Sequence, residues 1–331
     1  MNHRRWKAAL VAATLALSAG VAACGDDEEE PAGGGAAAGG EKKDYNLVLI
    51  AGVKGDEFYI TMNCGAQEKA KELGVNLEFQ GPDQFDPSLQ TPIVNAVAAK
   101  KPDAVLIAPT DTKAMYAPIK QLADAGTKVV FVDTTLEQAD VAESAIASDN
   151  EAGGREAATA LADLTGGSGK VFTVNVKPGI STTDARAKGF EEGSKEAGLD
   201  YLGQDFSNNE PAKAATIIKA QLAKNPDLKG VFATNLFSAE GTANGVREAG
   251  KGSDVKIVGF DAGPAQVEQL EKGDVQALIA QKPADIGAQG VEQAVKALNG
   301  EETTPEIGTE SVTITKENLA DSQDSLYKSS C

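Results

Sequence analysis

The sequence predicts an α/β fold of two doubly wound parallel-sheet lobes. Three observations carry that expectation. From Tyr45 onward, apolar runs of strand length alternate with stretches of helical spacing. The runs are apolar throughout, as in strands covered by helices on both faces. The alternation reaches a fourth strand near residue 132 and then starts again, giving two units of similar size.

In order, residues 47–50 (LVLI) read as a buried strand, and residues 59–73 as a helix that stops at Gly74. Strand 75–79, helix 89–99, strand 104–107, helix 116–125 ended by Gly126, and strand 129–132 (VVFV) complete the first unit. The second runs helix 151–164, strand 170–176, helix 182–197, a weaker strand 201–206, helix 212–223, strand 230–233 and helix 239–249. Strand 255–260, helix 264–272, strand 275–280 and helix 284–298 follow. Ligands of such sheets sit at the carboxyl ends of the strands. Two facing lobes place that site in the cleft between them.

Composition narrows the function. The chain has 331 residues and a formal charge of −18, which argues against nucleic acid or an anionic membrane surface as a direct partner. Its single histidine, His3, and single tryptophan, Trp6, both lie at the extreme N-terminus. If that end is cleaved, no histidine triad, general base or metal ligand remains.

Cleavage is what the N-terminus predicts. His3-Arg4-Arg5-Trp6-Lys7 is a basic start, and residues 8–23 are apolar but short for a membrane span. Val21-Ala22-Ala23-Cys24 resembles the lipobox of bacterial lipoproteins, which implies lipid attachment at Cys24 after removal of residues 1–23. The alternative is an ordinary signal peptide in which Cys24 is incidental. Losing Arg4, Arg5 and Lys7 makes the mature chain more acidic by three charges. Residues 24–43, with an acid run and the stretch PAGGGAAAGG, read as a flexible linker before a domain spanning 44–331. Two cysteines then remain, Cys64 and Cys331. In an oxidising compartment an even pair suggests a disulfide from the C-terminal residue to the first helix. Two free thiols are the alternative.

The residues just beyond the strand ends are polar in a consistent way. Lys54-Gly55-Asp56-Glu57-Phe58-Tyr59 follows the first strand, and Asp133-Thr134-Thr135 the fourth. Residues 179–186, containing Asp184 and Arg186, follow a strand of the second unit, as do Asn235, Asp261 and Gln281. Carboxylates and amides pair with hydroxyls, and ring faces cover apolar C–H patches. Such a set suits a polyhydroxylated ligand. Any single member also reads as a helix cap or turn residue.

Ala147-Ser148-Asp149-Asn150, Val258-Gly259-Phe260-Asp261, Ile279-Ala280-Gln281-Lys282-Pro283, Ile286-Gly287-Ala288 and Gly65-Ala66-Gln67 resemble the ribose-type sugar-binding proteins. These are type 1 periplasmic binding proteins of bacterial ABC importers. The likeness runs from about Asn46 to about Gly300. It implies a monomeric clamshell whose chain crosses between lobes near Ser148, Gln281 and Gly308. The N-lobe is then about 44–148 plus 282–308, and the C-lobe about 149–281 plus 309–331.

The resemblance also assigns ligand positions. Phe58 and Tyr59 match the family's stacking aromatics, and Asp56 stands where ribose binders carry asparagine. Asp133 matches, but the arginine that usually follows it is Thr134. Asp184 replaces a second ligand arginine, while Arg186 is kept. Asn235, Asp261 and Gln281 match directly, and the second lobe's aromatic is replaced near Asn208-Asn209. Four aspartates facing one cleft, with Lys54 as the nearby cation, disfavour an anionic ligand. The expectation is a neutral sugar or polyol, or a ligand with an amine; no metal or other cofactor is implied.

Rival functions are weaker. Gly166-Gly167-Ser168-Gly169-Lys170 lacks the upstream glycine and the following Ser or Thr of a phosphate loop, and it precedes a strand. No nucleophile with an orienting partner appears, so the chain is read as a non-enzyme. A sugar-responsive regulator of this fold needs a basic helix-turn-helix where this chain has an acidic tether. A receptor feeding a sensor kinase or chemoreceptor, or binding an amine or autoinducer-type ligand, uses the same closure and stays open as an alternative.

Overall fold

A computed structural model describes residues 44–331. The leader, Cys24 and the acidic linker lie outside the described residues. The first half runs β1 (Asn46–Ile50), α1 (Glu57–Leu73), β2 (Asn76–Gln80), α2 (Pro87–Lys100), β3 (Ala104–Ile107), α3 (Tyr116–Asp124), β4 (Lys128–Val132) and β5 (Ser144–Ser148). The second runs α4 (Asn150–Thr165), β6 (Lys170–Asn175), α5 (Ser181–Glu196), β7 (Asp200–Phe206), α6 (Pro211–Lys224) and β8 (Leu228–Ala233). It continues through α7 (Leu236–Glu248), β9 (Lys256–Phe260), α8 (Pro264–Lys272) and β10 (Ala277–Ala280). Then come α9 (Pro283–Asn299), β11 (Glu306–Thr309) and β12 (Val312–Thr315).

The strands form two six-stranded sheets, ordered β11-β5-β4-β3-β1-β2 and β12-β10-β9-β8-β6-β7. Each half therefore repeats one doubly wound order, 2-1-3-4-5, and each sheet gains a sixth strand from the C-terminal part. All pairings are parallel except β10 with β12. The chain passes between the sheets three times: after Ser148, after Ala280 and after Thr309. Interior strands are buried along their apolar runs; β3 and β10 expose no residue.

Three strands escaped the sequence reading. β5 (SAIAS) alternates buried with half-buried positions and is made of small residues. β11 (EIGT) and β12 (VTIT) lie at sheet edges and are mostly half-exposed. None offers an apolar run, because only part of each is covered.

On one face of the N-lobe sheet α1 packs against α9. A Cβ on Gly65 would stand 2.1 Å from the Ala284 carbonyl oxygen, and one on Gly287 2.0 Å from that of Met62. Only glycine permits so close an approach of the two helix backbones. Beyond β12 two short 3-10 turns lead the chain back to α1, where Cys331 is disulfide-bonded to Cys64, with Cα atoms 5.4 Å apart.

Candidate functional site

The carboxyl ends of strands from both sheets converge on one small cavity of about 40 Å³. β1 ends at a loop whose Asp56 caps α1: its Oδ1 accepts the Phe58 N–H at 2.9 Å. That cap sets the phase of the helix, so the next residues, Phe58 and Tyr59, turn inward, packed edge-to-face at 5.1 Å. The Tyr59 hydroxyl donates to Asp133 Oδ2 at 2.7 Å.

Asp133 follows β4 and Asp261 follows β9, the equivalent strand of the other lobe. Both have left-handed backbones, φ 66° and 77°. Asp133 N–H donates to Ile146 O at 2.8 Å on β5, and Asp261 N–H to Ile279 O at 2.9 Å on β10. The same turn thus aims one carboxylate from each lobe into the cleft. Asp is among the few residues that tolerate this conformation, and such backbone is concentrated at functional sites.

Asp261 is held on three sides. Its Oδ2 accepts the Leu236 N–H at 2.9 Å, and its Oδ1 accepts Gln281 Nε2 at 2.7 Å and the Tyr327 hydroxyl at 3.1 Å. Gln281 Oε1 accepts the Ser148 hydroxyl at 2.8 Å. Two of the three crossings are therefore hydrogen-bonded to each other through a cavity side chain. Asn235 caps α7 and donates to Asn209 Oδ1 at 2.6 Å.

Arg186, on α5, is buried at 2% exposure. Its Nε donates to Asn150 Oδ1 at 2.8 Å and its Nη1 to Thr234 O at 3.0 Å, with the guanidinium 3.8 Å from the Phe260 ring centre. Nη2 has no protein acceptor among the described residues. Thr183 Oγ1, also in the cavity wall, is buried without a partner. Both are polar groups of the cavity wall with hydrogen-bonding capacity that their neighbours leave unused.

Burial dominates the electrostatics. It pushes the Asp133 carboxyl up to about 6, although Arg186 and the Tyr59 hydroxyl pull it down. Burial, with Asp261 nearby, raises Asp56 well above the usual carboxylate range. The Tyr59 hydroxyl is raised by burial and by Asp133.

Of the residues expected from the sequence, Asp56, Phe58, Tyr59, Asp133, Arg186, Asn209, Asn235, Asp261 and Gln281 line this cavity. Three do not. Lys54 pairs with Asp83 at 2.8 Å in a separate groove at the mouth of the cleft. Thr134 points away and donates to Pro109 O at 2.8 Å, because the left-handed turn at Asp133 reverses the next side chain. Asp184 folds back to accept the Gly179 N–H at 2.8 Å. The cleft therefore holds three aspartates, not four, and its cation is Arg186, not Lys54. Phe85, Val176, Ile180, Thr182 and Thr183 join the wall unforeseen. Helical spacing did carry a signal for two of them: Thr182 and Thr183 share a face with Arg186, and Asp184 lies off it. Phe85 sits in the loop before α2 and had no signal. Among the described residues no cluster of metal-ligating side chains occurs, and no helix is long and apolar enough to cross a membrane.

A family profile described as periplasmic binding protein domain matches residues 47–302. The ribose import binding protein of Escherichia coli K12 is 32% identical over 255 residues, covering 77% of this chain and 85% of that protein. Its counterpart in Bacillus subtilis is 30% identical over 266 residues, covering 80% and 86%. Among solved structures, an ABC transporter solute-binding protein from Agrobacterium vitis bound with α-D-tagatopyranose is 43% identical, with a TM-score of 0.84, covering 86% of this chain and all of that one. Another from the same organism, with bound D-fucose, is 28% identical with a TM-score of 0.81, covering 85% and 100%. These relatives are binding proteins, not enzymes. The profile match, the identity to these relatives and the matched length lead to one conclusion: the chain belongs to the periplasmic binding protein family, as a type 1, sugar-binding-type solute-binding protein of an ABC importer.

Proposed function

We propose that this chain is an extracytoplasmic solute-binding lipoprotein, anchored through Cys24, that captures a neutral monosaccharide between its lobes and delivers it to an ABC permease. The observation that carries the reading is the cavity wall: aspartates from both lobes, three amides and a guanidinium edge, set beside Phe58, Tyr59 and Phe85. Carboxylates accept sugar hydroxyls, Arg186 Nη2 and the amides donate to them, and the rings cover the apolar face of a pyranose. The carboxylates of Asp133 and Asp261 against one guanidinium disfavour a phosphate or a sugar acid. The sugar-bound relatives support the class, and α-D-tagatopyranose in a relative 43% identical makes tagatose the first probe.

A thermal-shift panel tests the class. Tagatose, ribose, allose, arabinose and fucose are set against ribose 5-phosphate and gluconate. A neutral sugar at a hundred times its Kd stabilises the native state by about 2.7 kcal/mol, a rise of roughly 5 °C or more in Tm. A phosphorylated or acidic sugar as the best ligand, or no shift with any sugar, overturns the reading. For the anchor, Cys24→Ala is expected to release the protein from membranes. For delivery, deletion of the gene is expected to abolish uptake of the labelled sugar that binds.

A further inference from the structure

The C-terminal segment after the second 3-10 turn enters the core only at its start: Tyr327 is buried with Leu326 packed beside it, and Lys328 to Cys331 are exposed. In five residues it grips both lobes. Tyr327 N–H donates to Ala262 O at 3.0 Å in the C-lobe. The Tyr327 ring packs edge-to-face on Phe58 of α1, with centroids 5.9 Å apart. Lys328 N–H then donates to Thr61 Oγ1 at 2.7 Å, and Cys331 is bonded to Cys64, both on α1. The bond makes a fourth covalent connection between the lobes, beside the three crossings. Beneath the segment, over the crossing at Gln281–Pro283, lies a cavity of about 230 Å³. The segment is held by the buried Tyr327 near its start, by the Lys328 amide, and by the Cys331 bond at its end.

Its one buried polar group reaches the ligand site. The Tyr327 hydroxyl accepts the Gln281 N–H at 3.0 Å and donates to Asp261 Oδ1 at 3.1 Å. Asp261 Oδ1 also accepts Gln281 Nε2. One hydroxyl thus bonds to two cavity residues, and Tyr327 is buried.

We propose that residues 326–331 form a strap, pinned to α1 by the Cys64–Cys331 bond, in which Tyr327 is a positioning residue that orients Asp261 and Gln281 for the ligand. This rests on the sugar-binding reading above and deepens it. Without the bond, only the Lys328 amide and the Phe58 contact tie the strap to the N-lobe. Tyr327 then leaves its two partners more often, and the cavity is less well formed before the ligand arrives.

Titration calorimetry on the purified chain tests this, with D-tagatose first and then the other neutral sugars. The variants are Tyr327→Phe, the Cys64→Ser/Cys331→Ser pair, and their combination. Tyr327→Phe keeps the ring and is expected to raise Kd about tenfold, the scale of one lost buried hydrogen bond, and to lower Tm by a few degrees because the buried Gln281 N–H loses its acceptor. The cysteine pair is expected to raise Kd several-fold, and the combination to add little to Tyr327→Phe, because both act through one strap. Kd within about twofold of the parent in either variant, effects that multiply in full, or a fall in Tm with Kd unchanged overturns the proposal. If no monosaccharide binds the parent, the sugar reading has failed, and hydrogen exchange of the Gln281 and Leu236 amides decides the strap without ligand. Exchange accelerated about tenfold in the cysteine pair supports it; unchanged exchange overturns it.

Discussion

Replacing Arg186 by methionine tests how much this buried side chain stabilises the C-lobe wall of the cleft. The change keeps the length of the stem and removes the charge. Asn150 Oδ1 and Thr234 O lose their donors, and each buried acceptor left unpaired costs about 1–3 kcal/mol. The contact with Phe260 is lost as well, up to about 2 kcal/mol for a desolvated cation over a ring. Methionine recovers part of this by filling the space, leaving a net loss of about 3–5 kcal/mol. The loss depends on pH. Asp133, at about 6 in the fold against an ordinary 3.8, binds its proton more tightly folded than unfolded. Stability is therefore highest below pH 4 for this group and falls by about 3 kcal/mol as pH rises to 6. Arg186 is the cation that limits the rise. Without it the Asp133 carboxyl moves higher, and the decline continues beyond pH 6. Urea unfolding of parent and Arg186→Met at pH 5 and pH 7.5 is the assay. The deficit is expected to be several kcal/mol and larger at pH 7.5. A deficit under about 1 kcal/mol, or one that is equal or larger at pH 5, refutes the reasoning.

The remaining tests are brief. Asp56→Asn keeps the α1 cap and removes a carboxyl whose charged form burial disfavours, so Tm at pH 7.5 is expected to hold or rise; Asp56→Ala loses the cap and about 1 kcal/mol. Gly65→Ala puts a Cβ 2.1 Å from the Ala284 oxygen; overpacking exceeds the helix-propensity gain by about 2 kcal/mol, a fall of roughly 4–8 °C in a thermal melt. Lys54→Ala is expected to leave sugar affinity within about twofold by calorimetry, since its partner is the exposed Asp83 and not the ligand. Sugar hydroxyls favour the ionised Asp133, so calorimetry near pH 6 in buffers of different ionisation heat is expected to show proton release on binding; no buffer dependence at that pH counts against Asp133 as a ligand group.

Most of the fold was legible because the interior strands need uninterrupted apolar runs, and VVFV and LVLI supply them. The three strands without such runs were not. In the site, residues one or two places apart parted company: Asp133 faces the cavity and Thr134 does not; Arg186 does and Asp184 does not. Sequence order ranks these pairs together. A left-handed turn and the helical period separate them.

What the sequence determined by itself is the doubly repeated α/β order and the polar character of the strand ends, since both follow from local patterning and from which faces must be dry. The family resemblance added where the chain changes lobes. Only the tertiary structure decided which strand-end side chains meet. Phe85 comes from a loop with no periodic signal, and Tyr327 comes from the far end of the chain to touch Asp261, 66 positions away. The cysteine count pointed to the bond between Cys64 and Cys331, and the structure has it. Which side chains meet in the cleft depends on how the two sheets face each other, and that is not encoded in any short window, because a cleft between lobes is a property of their relative placement.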